Sequence, residues 1–274
     1  MRRATIDAIE LEYEDRGSGE PVVLMHAGLC AGWFEPLLDE PALAGDRLIR
    51  YHRAGYAGSS HPWGEVTIED HARHCRGLLD HLGIERAHLV GHSSSADVAL
   101  QLALDAPERV ASLTLMEPAL MPVPSRATWG KSVAVPAVEA YRSGDRARAV
   151  DLWMRGVAGD GWREPMDRAL PAAFEQAVAD APTFFEQELP AVQSWSFSER
   201  DASRIKHPAL AVIGARSPEV SPVWAERHAL LLAWLPNVVP FVLEHATHLL
   251  HVQNPSGMAE ALAAHVARHA AATV

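Results

Sequence analysis

The sequence predicts an α/β fold: a mostly parallel sheet with helices on both faces and a helical insertion. Three features lead to it. Short, continuous apolar runs, as at residues 21–25 and 208–214, read as strands buried on both sides. Segments with apolar residues at helical spacing alternate with them. The alternation stops between about residues 121 and 204, where only helical patterns occur, and then resumes. Strand–helix units repeated in this way require a parallel sheet covered on both faces.

Alternating polarity over residues 9–14 predicts an antiparallel edge strand, closed by Gly17-Ser18-Gly19. The strand at 21–25 follows, then an expected helix near Trp33 to Leu43. Residues 47–51 form the next strand, which ends in a glycine-containing loop at 54–60. Ile68, Ala72, Cys75, Leu78, Leu79 and Leu82 share one face of a helix over about 67–82. A strand ending near His92 runs directly into another helix, and a further strand occupies 110–116. Beyond the helical stretch come a strand at 208–214, a helix near 224–235 and a strand at 238–243. Asn254-Pro255 opens the last helix, with Asn as cap and Pro at the first helical position. The expected organisation is one core domain, residues 1–120 and 205–274, with a helical cap or lid at 121–204. Such a lid would lie over the C-terminal ends of the strands, where open α/β sheets place their sites.

At 274 residues and 48% apolar composition, the chain can bury a large core. A net charge of −11 and the lack of a basic stripe argue against a nucleic-acid partner. The only cysteines, Cys30 and Cys75, imply neither a disulfide framework nor a cysteine metal site. The first residues lack the apolar run of a signal peptide, and no stretch approaches a membrane span. A cytoplasmic protein without membrane contact is expected. A homodimer is compatible with the sequence and not required by it.

The segment Gly91-His92-Ser93-Ser94-Ser95 carries the chemistry. An apolar strand enters Gly-x-Ser and leaves at once as a helix, the arrangement of a nucleophile elbow that lifts Ser93 Oγ above the sheet. The Ser94 N–H then lies at a helix N-terminus, a ready donor for an oxyanion. The usual pattern ends in glycine, and here Ser95 stands in its place. A bare Gly-x-Ser also fits a capped strand-to-helix turn, but the strand before it and the helix after it favour the nucleophile.

Fifteen histidines compete for the role of base. The last strand runs into Glu244-His245-Ala246-Thr247-His248, and Pro255 follows shortly after. Together with the elbow, this ending resembles the α/β-hydrolase family, a fold with a sheet of about eight strands. The resemblance implies that His248, on the loop after the last strand, is the catalytic base. His245 lies too near the strand, and His251 is expected to pack beneath the loop. In that family the acid usually follows the strand at 208–214, and the matching position here is Ser217, a neutral residue. Glu219 is one substitute. The family's second location, the end of the strand after the elbow helix, holds Glu117 and is preferred. Asp97, one turn into the elbow helix, is expected to pair with an arginine instead.

The family's His-Gly-x segment is here His26-Ala27-Gly28-Leu29. Gly28 N–H is expected to complete the oxyanion hole with Ser94, Leu29 being the fallback, and His26 is expected to brace the loop. The Ser-Glu-His order resembles the zearalenone-lactonase branch: Gly28-Leu29, Ser93-Ser94, Glu117-Pro118 and His248 all fit. The implied activity is hydrolysis of a hydrophobic carboxylic ester or lactone through an acyl-enzyme, with no metal or cofactor. Leu29 and Phe184 are candidate substrate-binding residues in a cleft walled by lid aromatics. A carbon–carbon bond hydrolase with the same triad and a non-catalytic binder of this fold remain as alternatives.

Overall fold

In the computed structural model, residues 1–120 and 122–270 are described. Met121, at the expected start of the cap, and residues 271–274 of the expected core lie outside the described residues. Eight strands form one sheet in the order β1-β2-β4-β3-β5-β6-β7-β8, with β1 Arg2–Ile6, β2 Ile9–Arg16, β3 Pro21–Met25, β4 Arg47–Tyr51, β5 Ala87–His92, β6 Val110–Met116, β7 Ala209–Gly214 and β8 Val238–Leu243. The β1–β2 and β2–β4 pairs are antiparallel, and every other neighbouring pair is parallel.

The apolar runs are continuous because each central strand feeds two cores. Val22 and Leu24 of β3 enter one hydrophobic cluster, and Val23 and Met25 enter the other. Helices α1 (Ile68–His81) and α2 (Ser94–Asp105) supply residues to the second cluster. Thr67 caps α1, its hydroxyl accepting from Asp70 N–H while the Asp70 carboxylate accepts from Thr67 N–H. Both clusters continue into the segment between β6 and β7, the first more extensively; the described residues of that segment form helices and contain no strand. No helix among the described residues is long and apolar enough to cross a membrane.

Two expectations need correction. The segment from Trp33 to Leu43 is not one helix but two 3-10 turns, Glu35–Leu37 and Pro41–Leu43. Pro41 lacks an N–H and pushes Glu40 into the extended region, at φ −71° and ψ 125°, so no helix can cross that point. The strand predicted at 9–14 is antiparallel but not at the edge, because β1 pairs outside it. β1 is short and opens with two charged residues, so its alternation is weak in the sequence.

The turn between β5 and α2 is tight. Ser93 sits at φ 56° and ψ −123°, a sparsely populated region for a residue with a side chain. A Cβ on Gly91 would fall 2.3 Å from the Ser95 carbonyl oxygen and 2.6 Å from Ala96 Cα. Gly91→Ala is therefore expected to lower stability by more than about 2 kcal/mol in urea unfolding. A loss below about 0.5 kcal/mol would mean that the turn can open to admit the methyl group.

Candidate active site

Ser93 stands at the C-terminal end of β5, and the residues around it explain why serine can replace glycine at position 95. Ser95 is buried, and its hydroxyl donates to the His26 carbonyl, 2.6 Å away. The departure from the usual pattern thus ties the elbow to the loop after β3. His26 braces that loop from the other side: its Nε2 accepts from the Arg53 backbone N–H at 2.9 Å.

Glu117 follows β6, the strand next to β5, and is buried with its backbone at φ 45°. Both carboxylate oxygens are occupied. Oε1 accepts from the Gly214 N–H at the end of β7, at 2.9 Å, and Oε2 accepts from His248 Nδ1 at 2.6 Å. The bond to Glu117 leaves the opposite nitrogen of His248, Nε2, as the basic one. The indole of Trp224 stacks on the His248 ring at 4.0 Å between centroids and 15° between planes. Burial, and after it the nearness of the His248 ring, holds His92 well below its ordinary pKa, so it is neutral, and its Nε2 donates to the His248 carbonyl. His245 is exposed on the turn, and His251 is buried with Nε2 donating to the Trp33 carbonyl.

Glu219 is exposed and faces Arg216 at 3.3 Å, not the histidine. Ser217 is fully buried beside Gly214, whose N–H already serves Glu117. Asp97 is fully buried. Burial raises its pKa well above the usual carboxylate range, and the charge of Arg227 opposes that shift.

A narrow, mostly apolar cavity of about 70 Å³ opens over Ser93 and His248. Gly28, Leu29 and Ser94 line it from the core, and Phe184 and Trp153 line it from the helical segment. All the sequence-predicted site residues except the alternative acid Glu219 therefore meet at this cavity or, as Glu117 does, directly behind it. Leu29 adopts φ 70°. The Gly28 carbonyl turns away to accept from Trp33 Nε1 at 2.9 Å and from Cys30 N–H at 2.9 Å.

The sequence reading missed four polar residues. Arg227 lines the cavity, donates from Nε to the Leu120 carbonyl and is pulled down by burial to about 10, so it is still cationic at neutral pH. Glu188, Arg53 and Tyr56 form a buried cluster. Arg53 pairs with Glu188 Oε2 at 2.9 Å, Tyr56 donates to the same oxygen, and the Ser94 hydroxyl donates to Glu188 Oε1. Burial works against the Arg53 charge, but the Glu188 carboxylate outweighs it and holds the guanidinium above its ordinary pKa. Glu188 ends a π-helical turn, Thr183–Glu188, which is a common irregularity at functional sites. One signal in the sequence could have found it. Glu188 shares a helical face with Phe184 and Val192, where a lone charge needs a partner.

The alpha/beta hydrolase fold profile matches residues 21–255. The chain belongs to this family. Within α/β hydrolases, it is 36% identical over 122 residues to 2-hydroxy-6-oxo-6-phenylhexa-2,4-dienoate hydrolase of Comamonas testosteroni, covering 39% of this chain and 40% of that one. The chain thus spans 40% of the length of such curated relatives. Among solved structures of the fold, the enol-lactonase from Burkholderia xenovorans LB400 superposes with a TM-score of 0.81 at 20% identity, over 97% of this chain and 100% of that one. A thermophilic esterase from Thermogutta terrifontis gives 0.79 at 22% identity, over 98% and 100%. At these identities the solved structures share the fold with this α/β hydrolase and no more.

The buried pair yields a test independent of activity. Arg53→Met leaves the Glu188 charge buried with its cation gone, and is expected to cost about 3–5 kcal/mol in urea unfolding. Arg53→Met combined with Glu188→Met removes both charges and should recover most of that loss. A double variant destabilised by the sum of Arg53→Met and Glu188→Met measured singly would mean that the pair is not coupled.

Proposed function

We propose that this α/β hydrolase is a serine hydrolase that cleaves a carboxylic ester or lactone of a hydrophobic substrate, with Ser93, His248 and Glu117 as its triad. The observation that carries the reading is the buried His248–Glu117 hydrogen bond, opening onto Ser93 in an apolar cavity. His248 Nε2 takes the Ser93 proton while Oγ attacks the carbonyl carbon. The Gly28 and Ser94 amides hold the oxyanion. Collapse breaks the C–O bond, and His248 returns the proton to the leaving alkoxide. Water deprotonated by His248 then hydrolyses the acyl-enzyme and frees Ser93. Glu117 orients the imidazole and stabilises the imidazolium from a carboxylate that the Gly214 amide already fixes.

The acid at the end of β6, with a serine at the family's usual acid position, supports the likeness to zearalenone lactonases in mechanism. The helical segment at 121–204 acts as a cap, and its Phe184 and Trp153 set what the cleft admits, with Leu29 as the facing wall. A second reading is hydrolysis of a carbon–carbon bond, favoured by the 36% identity to a dienoate hydrolase. The two differ in product: an ester or lactone yields an alcohol group and an acid, and a carbon–carbon cleavage yields an acid and an enol or ketone.

Proton release from a panel of aryl esters, alkyl esters and lactones tests the reading. Ser93→Ala should abolish turnover. Glu117→Gln should lower kcat by roughly a thousandfold with the fold retained, while Glu219→Gln stays near wild type. Turnover that survives Ser93→Ala would overturn the proposal, and ligand-induced thermal stabilisation with no turnover would mark a binding protein instead. Activity lost in Glu219→Gln and kept in Glu117→Gln would move the acid to Glu219.

Trp153 packs edge-on against Phe184, with ring centroids 4.7 Å apart, across a cavity with little free space. Trp153→Ala should therefore move the optimum of a p-nitrophenyl ester series from acetate to decanoate toward longer chains. An unchanged chain-length profile would remove Trp153 from the specificity wall.

A further inference from the structure

We propose that Glu188 Oε1 is a specificity-determining acceptor, reading a neutral hydrogen-bond donor, a hydroxyl group, on the acyl carbons next to the scissile carbonyl. The inference rests on the serine-hydrolase reading above and concerns which acyl groups that site prefers.

A carboxylate offers four lone-pair positions. Arg53 and Tyr56 take Oε2, and the Ser94 hydroxyl takes one position on Oε1. The remaining position belongs to the oxygen nearest the oxyanion site: a Cβ on Gly28 would lie 2.9 Å from Oε1, and Glu188 itself lines the cavity. The π-helical turn places Phe184 beside it, in contact with the same glycine. The substrate's carbonyl oxygen would sit between Gly28 and Ser94. Oε1 is then within reach of a group on the first or second carbon of the acyl chain.

The charge balance selects the kind of donor. Arg53 is fully buried against Glu188, so the pair is neutral as a unit. An ammonium group would bring an uncompensated charge into an apolar cavity, whereas a hydroxyl brings only a donor that needs an acceptor. The same neutrality explains how a carboxylate can stand beside an oxyanion site without opposing the developing charge. Of the other polar side chains that line the cavity outside the triad and Ser94, Arg227 offers no acceptor and Gln193 is exposed, so Glu188 is the buried acceptor for such a donor. A pocket built to accept from a substrate hydroxyl discriminates against the analogue that lacks it far better than an apolar pocket discriminates by size.

The test compares p-nitrophenyl esters of butyrate, 2-hydroxybutyrate and 3-hydroxybutyrate. Each kcat/KM is divided by the hydroxide-catalysed rate of the same ester. The wild type is expected to prefer one hydroxylated ester over butyrate by at least tenfold. In the double variant Arg53→Met, Glu188→Met, first shown by thermal unfolding to be folded, that preference should fall to parity. Ser93-dependent turnover without a preference in the wild type would overturn this inference and leave the serine-hydrolase reading intact. So would a preference that persists in the double variant, or an equal loss on all three esters. Turnover that is absent, or that survives Ser93→Ala, would overturn both.

Discussion

The position of one carboxylate organises the site. Glu117 can reach His248 only because β6 lies between β5, which carries Ser93, and β7, which supplies the Gly214 amide. Its two oxygens face two different partners, so the side chain is held by geometry on both sides and has no rotamer to lose. Ser93 and Glu117 follow adjacent strands, and both take positive φ values. The sheet holds this strain at the ends of two neighbouring strands, where side chains must be turned up toward the cavity. The resulting hydrogen bond is charge-assisted and shielded from water, conditions in which such bonds are strongest.

The second organising feature is the buried ion pair between the loop after β4 and the helical segment. Arg53 and Glu188 are 135 residues apart in the chain, and the bond joins the loop after β4 to the helical segment beside Gly28 and Ser94. Thr183 adds a hydrogen bond to the Gly55 carbonyl, and the Asp180 carboxylate accepts from the Ala57 N–H. The segment that brings Phe184 to the cavity is therefore fixed by polar contacts, while its apolar residues fill the space between. The buried pair also lets a charged residue sit at the cavity wall at little electrostatic cost.

The fold was legible in the sequence because buried parallel strands are mostly apolar runs: residues 21–25 and 209–214 carry no polar side chain, and 87–92 only His88 and His92. The elbow was legible because a strand entering Gly-x-Ser and leaving as a helix has few other readings. Glu117 could be found because it ends a strand next to the elbow. The segment at 33–43 was misread because its apolar spacing is helical while Pro36 and Pro41 prevent the hydrogen bonds. Glu188 and Arg53 were not found because neither makes sense alone. Each is a charge whose burial only a distant partner permits, and the one local hint is the place of Glu188 on an apolar helical face. Sequence also could not say that Ser95 keeps the elbow by bonding to His26.

The most direct measurement is the rate at which a fluorophosphonate modifies the protein, with the adduct located by mass spectrometry of its peptides. Modification of Ser93 alone, slowed at least a hundredfold in Glu117→Gln and unchanged in Glu219→Gln, is the expected result. Modification elsewhere, or a Ser93 rate indifferent to Glu117, would contradict a serine nucleophile driven by His248 and Glu117.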